Sequence, residues 1–229
     1  MPKTIAILNQ KGGSGKTTIA TNLAHALTLD GHVVVLADAD PQGSLRDWHD
    51  AGKELGVPVI GIDRESSISG VDGIVGDADF LIIDGAPQIA KLSAACVRVA
   101  DLVLIPVQPS PYDVWACADL VDLINARREV TGGKPAAAFV ISRAIQNTKL
   151  STEVAAVLRQ YALPVLKSYT TQRVVYPTTA AEGQTVFADS AFGPAASEIN
   201  AIKNEVLEML NDPIRKGRPA GVSGERRRA

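Results

Sequence analysis

Residues 4–18, TIAILNQKGGSGKTT, constrain this chain more than any other stretch. A short β-branched apolar run breaks into glycines and then into KTTIATNLAHALTLDG, where Ile19, Leu23, Ala26 and Leu27 recur at helical spacing. Gly31 follows that segment in the position of a C-cap. A strand that turns through glycines into a helix N-terminus aims successive backbone N–H groups and the positive end of the helix dipole at one anion. Gly12, Gly13 and Gly15 let the backbone close around phosphate oxygens, Lys16 is placed for the β- and γ-phosphates, and the Thr17 hydroxyl for Mg²⁺. The usual GxxxxGK[ST] pattern asks for glycine at position 10, where this chain has Gln10. It also leaves a second lysine, Lys11, without a role.

The rest of the chain alternates in the same way. HVVVLADAD (32–40), VPVIGI (57–62), DFLIIDGA (79–86), DLVLIPV (101–107) and AAAFVIS (136–142) are short continuous apolar runs, and LPVLKSY (163–169) is a weaker candidate. Helical stretches are predicted at 43–55, 88–99, 112–130, 150–161 and 195–210. Strands that are apolar throughout, alternating with helices, form parallel sheets covered on both faces. The expected fold class is therefore α/β: a doubly wound, mainly parallel sheet with helices on both faces, in one domain over 1–211. At 229 residues the chain has room for one such core.

Two acidic motifs sit where open α/β sheets bind ligands, at the carboxyl ends of strands. VVVLADADPQ ends in Asp38 and Asp40, and FLIIDGAP ends in Asp84 after four apolar residues, the form of a magnesium-holding Walker B strand. Three carboxylates downstream of a phosphate loop indicate a nucleotide hydrolase. Cys96 and Cys117 show no CxxC or Cys/His clustering and read as buried apolar residues. No secretory leader or apolar run of about 18 residues is visible, so a cytoplasmic chain with no membrane partner is expected. The net charge of −2 hides an asymmetry. Residues 213–229 carry six basic residues and one acid, leaving 17 basic against 24 acidic in 1–212. Residues 212–229, rich in Gly, Pro and Arg, are read as a basic disordered tail, either a flexible DNA-binding arm or a solubilising extension.

NQKGGSGKTT, DADPQGS, FLIIDGAP and DLVLIPVQPSPYD together resemble the deviant Walker A, Walker A′, Walker B and proline-rich segments of ParA-type partition ATPases, within the ParA/MinD group. The resemblance runs to about Leu210 and is nearest to the small plasmid ParA proteins that lack a helix-turn-helix domain. It implies ATP and Mg²⁺ as cofactors and a homodimer formed with ATP. Nucleotide contacts would come from Gly12, Gly13, Ser14, Gly15, Lys16, Thr17 and Thr18. Thr17 and Asp84 would hold magnesium, Asp84 through water, with Asp38 supporting the metal shell, and Asp40 would orient the attacking water. Lys11 would cross the dimer interface to the phosphates bound by the partner, and PVQPSPYD would lie near that contact. Ser142 and Arg143 occupy the usual region for adenine.

The resemblance further implies non-specific DNA binding in the ATP state, hence nucleoid association. Lys149, Lys167, Arg173 and Lys203 are candidates by region, though each also reads as an ordinary surface charge. Phosphate contacts of this kind weaken with salt and ignore sequence. The first functional reading is a slow DNA-segregation ATPase, released when a ParB-like or other centromere-binding adaptor stimulates hydrolysis. Positioning of another cargo, such as a chemoreceptor cluster or a protein microcompartment, shares every motif. A MinD-like membrane regulator needs an amphipathic C-terminal helix, which PIRKGRPAGVSGERRRA cannot form. A metabolic P-loop enzyme, related to dethiobiotin synthetase or nitrogenase reductase, is a further alternative, the latter disfavoured because Cys96 and Cys117 do not flank a cluster site.

Overall fold

The computed structural model describes residues 1–52, 55–87, 90–145 and 150–211. Six strands form one sheet: β1 Lys3–Ile7, β2 Val34–Asp38, β3 Val59–Gly61, β4 Phe80–Asp84, β5 Leu102–Val107 and β6 Ala136–Ile141. Their order is β3-β2-β4-β1-β5-β6, and every pairing is parallel. The helices are α1 Lys16–Leu29, α2 Ser44–Ala51, α3 Glu65–Ser69, α4 Ala90–Val99, α5 Pro111–Trp115, α6 Ala118–Thr131, α7 Leu150–Leu158, α8 Val175–Ala181, α9 Val186–Asp189 and α10 Pro194–Met209.

Alternation along each buried strand divides the apolar side chains between two cores. Ile5, Ile7, Leu36, Phe80, Ile82, Leu102 and Leu104 pack with α1, α2 and α10 on one face. Ala6, Ala37, Leu81, Ile83, Val103, Ile105 and Phe139 pack with α3, α4, α6 and α7 on the other. Both faces of the parallel sheet are thus covered, as expected of a doubly wound fold. Cys96 and Cys117 are buried and free. Among the described residues no helix is long and apolar enough to cross a membrane.

Three predicted elements are revised. The 163–169 run is not a strand. Leu166 N–H and the Pro164 carbonyl exchange bonds with Phe139, but the N–H groups of Lys167 and Ser168 then turn to the Glu205 carboxylate at 2.9 and 2.7 Å. That α10 carboxylate takes the donors a seventh ladder needs. The 112–130 helix breaks at Ala116 and Cys117 into α5 and α6. The 43–55 helix stops at Ala51 because Gly52 is extended and lies against Gly183, where a Cβ would meet the Gly183 carbonyl oxygen at 2.3 Å. Gly31, at φ 88°, does follow the end of α1 in the left-handed conformation that favours glycine. The 212–229 tail lies outside the described residues.

Candidate functional site

Strand register assembles the site. Asp84 on β4 is paired with Ile7 on β1 and with Asp38 on β2, so the glycine loop leaving β1 and two of the acids emerge side by side. Gly13 and Gly15 hold φ of 73° and 100°, and α1 starts immediately after them. Neighbouring strand ends brace the loop by its carbonyls. The Gln108 amide donates to the Gly13 oxygen and the Ser142 hydroxyl to the Ser14 oxygen, both at 2.6 Å. A Cβ on Gly15 would come within 3.3 Å of Ser142 Cβ, so the loop has no slack on that side. The chain turns tightly at Gly12 and Gly13, which gathers the loop's backbone N–H groups ahead of Lys16. Together with the N-terminus of α1 they form a nest built for an anion.

Lys16 is buried, and its ammonium donates to the Lys11 carbonyl at 3.2 Å. Burial lowers its pKa, while the charges of Asp84 and Asp40 oppose that shift. The Thr17 hydroxyl donates to Asp84 Oδ2 at 2.6 Å, and Asp84 Oδ1 is buried without a partner. Burial pushes the Asp84 carboxyl up to about 7 despite Thr17 and Lys16, with Asp38 and Asp40 adding to the rise. A divalent cation beside Thr17 and Asp84 would satisfy the orphan oxygen and relieve that cost. Among the described residues no three His, Cys, Asp or Glu side chains converge into a metal cage. The donor set suits magnesium, which keeps water ligands and is held by a carboxylate or hydroxyl together with phosphates.

Asp38, expected to support the metal shell, lies beside Asp84 in the strand register. It is fully buried, and three N–H groups surround it: Asp40 N–H on Oδ1 at 3.0 Å, and Arg46 N–H and Nε on Oδ2 at 3.1 and 3.2 Å. These partners, one of them the Arg46 guanidinium, compensate its charge, and Asp38 anchors the N-terminus of α2. Asp40 is half-buried and close enough to Lys16 to act on its charge. Its Oδ1 accepts the Gln42 N–H at 3.0 Å.

Lys11 turns to its own chain, where its ammonium donates to Asp113 Oδ2 on α5. Its backbone N–H donates to Asn9 Oδ1 at 2.8 Å, and the Asn9 amide donates to the Pro106 carbonyl at 2.7 Å. The proline-rich segment is thereby fastened to the loop at Asn9, Gly13 and Lys11. Gln108, Asp113 and Arg46 were not singled out from sequence. The first two lie inside the PVQPSPYD signal, whereas nothing in the sequence marks Arg46.

The remaining candidates separate. Ser142 is buried against the loop and braces it, its hydroxyl donating to the Ser14 carbonyl. Arg143 is exposed, with φ 53° and its N–H on Thr170 Oγ1 at 3.2 Å. Lys203 is not a surface charge: only 7% of its side chain is exposed, and it pairs with Asp30 at 2.5 Å. Arg173 donates through Nε and Nη2 to Glu198 Oε1 at 3.0 and 2.8 Å. Lys167 is exposed. Lys149 lies outside the described residues.

Comparison with known proteins adds the family. The model of the CobQ/CobB/MinD/ParA nucleotide binding domain matches residues 5–186. The maintenance of carboxysome distribution protein A of Halothiobacillus neapolitanus is 36% identical over 209 residues, covering 89% of this chain and 96% of that protein. The protein ParA of Rhizobium radiobacter is 30% identical over 182 residues, covering 75% of this chain and 79% of its own. The structure of a Cyanothece McdA variant in complex with ATP superposes with a TM-score of 0.70 at 17% identity, covering 93% of this chain and 97% of that one.

Proposed function

This chain belongs to the CobQ/CobB/MinD/ParA family of nucleotide-binding domains, and from that premise we propose that it is an ATP-driven dimeric switch that positions a protein microcompartment of the carboxysome type. The ATPase part rests on one observation above others: Asp84, hydrogen-bonded to Thr17, keeps a buried unpartnered oxygen beside the N–H nest of the loop. The cargo rests on the near full-length similarity to the Halothiobacillus protein. That similarity favours positioning over DNA segregation, the reading first drawn from the motifs.

In this reading the 12–18 amides and Lys16 hold the triphosphate, while Thr17 and Asp84 hold magnesium. Magnesium held there would offset the negative charge of the phosphates. Asp40 orients water for in-line attack, and with no strong base nearby hydrolysis is slow, which suits a timed switch. Lys11 leaves Asp113 and reaches the partner's triphosphate, which ties dimerisation to ATP. Tyr112 and Trp115, exposed with ring centroids 5.4 Å apart, give α5 an apolar surface at that junction. Lys167 and the basic tail supply non-specific DNA contacts that hold the dimer on the nucleoid, and an adaptor protein on the cargo stimulates hydrolysis.

The test has two arms. Binding to an unrelated DNA duplex at low salt is measured with ATP-Mg, with ADP-Mg and without nucleotide. The distribution of labelled microcompartments is then followed in cells lacking the protein. ATP-selective, salt-sensitive DNA binding together with clumped compartments supports the proposal. Evenly spaced compartments in its absence, with plasmid loss instead, would return the assignment to partition.

A further inference from the structure

We propose that Arg46 is a positioning residue for hydrolysis: it locks the turn that carries Asp40, acting through Asp38 and the Asp40 carbonyl. The inference rests on the reading of Asp40 as the residue that orients water, and deepens it. Arg46 is the third residue of α2, and its backbone N–H and Nε both reach Asp38 Oδ2. Its Nη2 donates to the Asp40 carbonyl at 3.1 Å, and its Nη1 lies 4.0 Å from Asp63 Oδ2 beyond the end of β3.

The Asp40 backbone is thereby held from both sides. Its N–H is fixed by Asp38 Oδ1, and its carbonyl receives Arg46 Nη2 and the Gly43 N–H at 3.0 Å. With Oδ1 taken by Gln42, only Oδ2 of Asp40 is left without a hydrogen bond among the described residues. That oxygen is the one available to a water, and its direction is set by the ring of contacts closing through Arg46. The space matches the guanidinium closely: a Cβ on Gly43 would come within 3.1 Å of Nη2, and one on Gly61 within 3.7 Å of Nη1. A planar fork can serve Asp38 and the Asp40 carbonyl at once, which a lysine ammonium cannot. Asp38, fully buried, requires the cation for its charge.

The experiment compares wild type, Arg46→Lys, Arg46→Met and Asp40→Asn for single-turnover ATP hydrolysis, KM for MgATP, affinity for a fluorescent ADP, and melting temperature. Positioning predicts a kcat loss on the order of tenfold to a hundredfold in Arg46→Met, with KM and ADP affinity within about twofold of wild type. Arg46→Lys restores the melting temperature by keeping a charge beside Asp38 but recovers little of kcat. Wild-type kcat in Arg46→Met overturns the proposal. So does a fall in ADP affinity parallel to kcat, which marks general damage to the site, or full recovery by Arg46→Lys, which leaves charge alone as the cause. Asp40→Asn turning over like wild type refutes the underlying assignment of Asp40 and removes the role of Arg46 with it.

Discussion

Replacing Asp113 by asparagine tests whether the Lys11 pair restrains the switch. Within one chain the Lys11 ammonium is held by Asp113, whose side chain is 2% exposed, while that of Lys11 is 40% exposed. A lysine that crosses to a partner must first leave this carboxylate. Because it is more than a third exposed, water screens the pair, and its net worth is set at about 1 kcal/mol. Two such pairs break per dimer, so removing them strengthens ATP-dependent dimerisation by about 2 kcal/mol, roughly 30-fold in Kd. The figure is a floor, since the departure of Lys11 strands a buried carboxylate whose Oδ1 already lacks a partner. Sedimentation velocity with a non-hydrolysable ATP analogue and Mg²⁺ measures the dimer constants of wild type, Asp113→Asn, Lys11→Ala and the double variant. Lys11→Ala is expected to stay monomeric, and the double variant with it. The reasoning fails if Asp113→Asn dimerises no more tightly than wild type, or if the double variant is as tight as Asp113→Asn, because Lys11 is then not the group released.

Other outcomes follow from the same geometry. The Lys203–Asp30 pair is asymmetric, with Asp30 23% exposed and Lys203 7%. Asp30→Asn strands the buried ammonium and should cost about 3 kcal/mol, against about 1 for Lys203→Met, whose orphaned carboxylate can turn to water. Differential scanning calorimetry should show roughly 6–12 °C and 2–4 °C respectively, with DNA binding by folded Lys203→Met unchanged. Asp84 carries its proton up to about pH 7 when folded, against an ordinary value of 3.8. The folded chain therefore binds more protons in that window, and stability falls from pH 4 to pH 7 by up to about 4 kcal/mol from this group. Asp84→Asn should flatten that decline in a series of melting curves, and MgATP should flatten it in the wild type. Gly15→Ala meets both the left-handed φ and Ser142, so nucleotide binding, read by fluorescent ADP, should be lost before the fold is.

Much of this was legible from the order of residues alone. All six strands found in the sheet overlap apolar runs read from the sequence, and five lie wholly within them, β1 starting one residue earlier at Lys3, because a strand buried on both faces shows itself without help from its neighbours. The phosphate loop was equally plain, since strand, glycines and helix start form one local unit. Long-range choices were not. The 163–169 run has strand-like composition, and only the Glu205 carboxylate 37 residues later diverts its amides. Lys203 reads as a surface charge until the end of α1 brings Asp30 to it.

For the acids, sequence determined which groups gather but not what each one touches. Asp38, Asp40 and Asp84 lie at strand ends by local pattern, and parallel register carries them to one edge of the sheet. Whether a carboxylate meets a cation, a helix N-terminus or water depends on side chains arriving from elsewhere. Arg46 claims Asp38, Thr17 shares Asp84, and Asp113 takes Lys11 across about a hundred residues of chain. Local pattern is encoded in spacings of two and of three to four residues, which a sequence displays. The partner of a buried charge is decided by packing between distant segments, because a low-dielectric interior penalises any charge left alone.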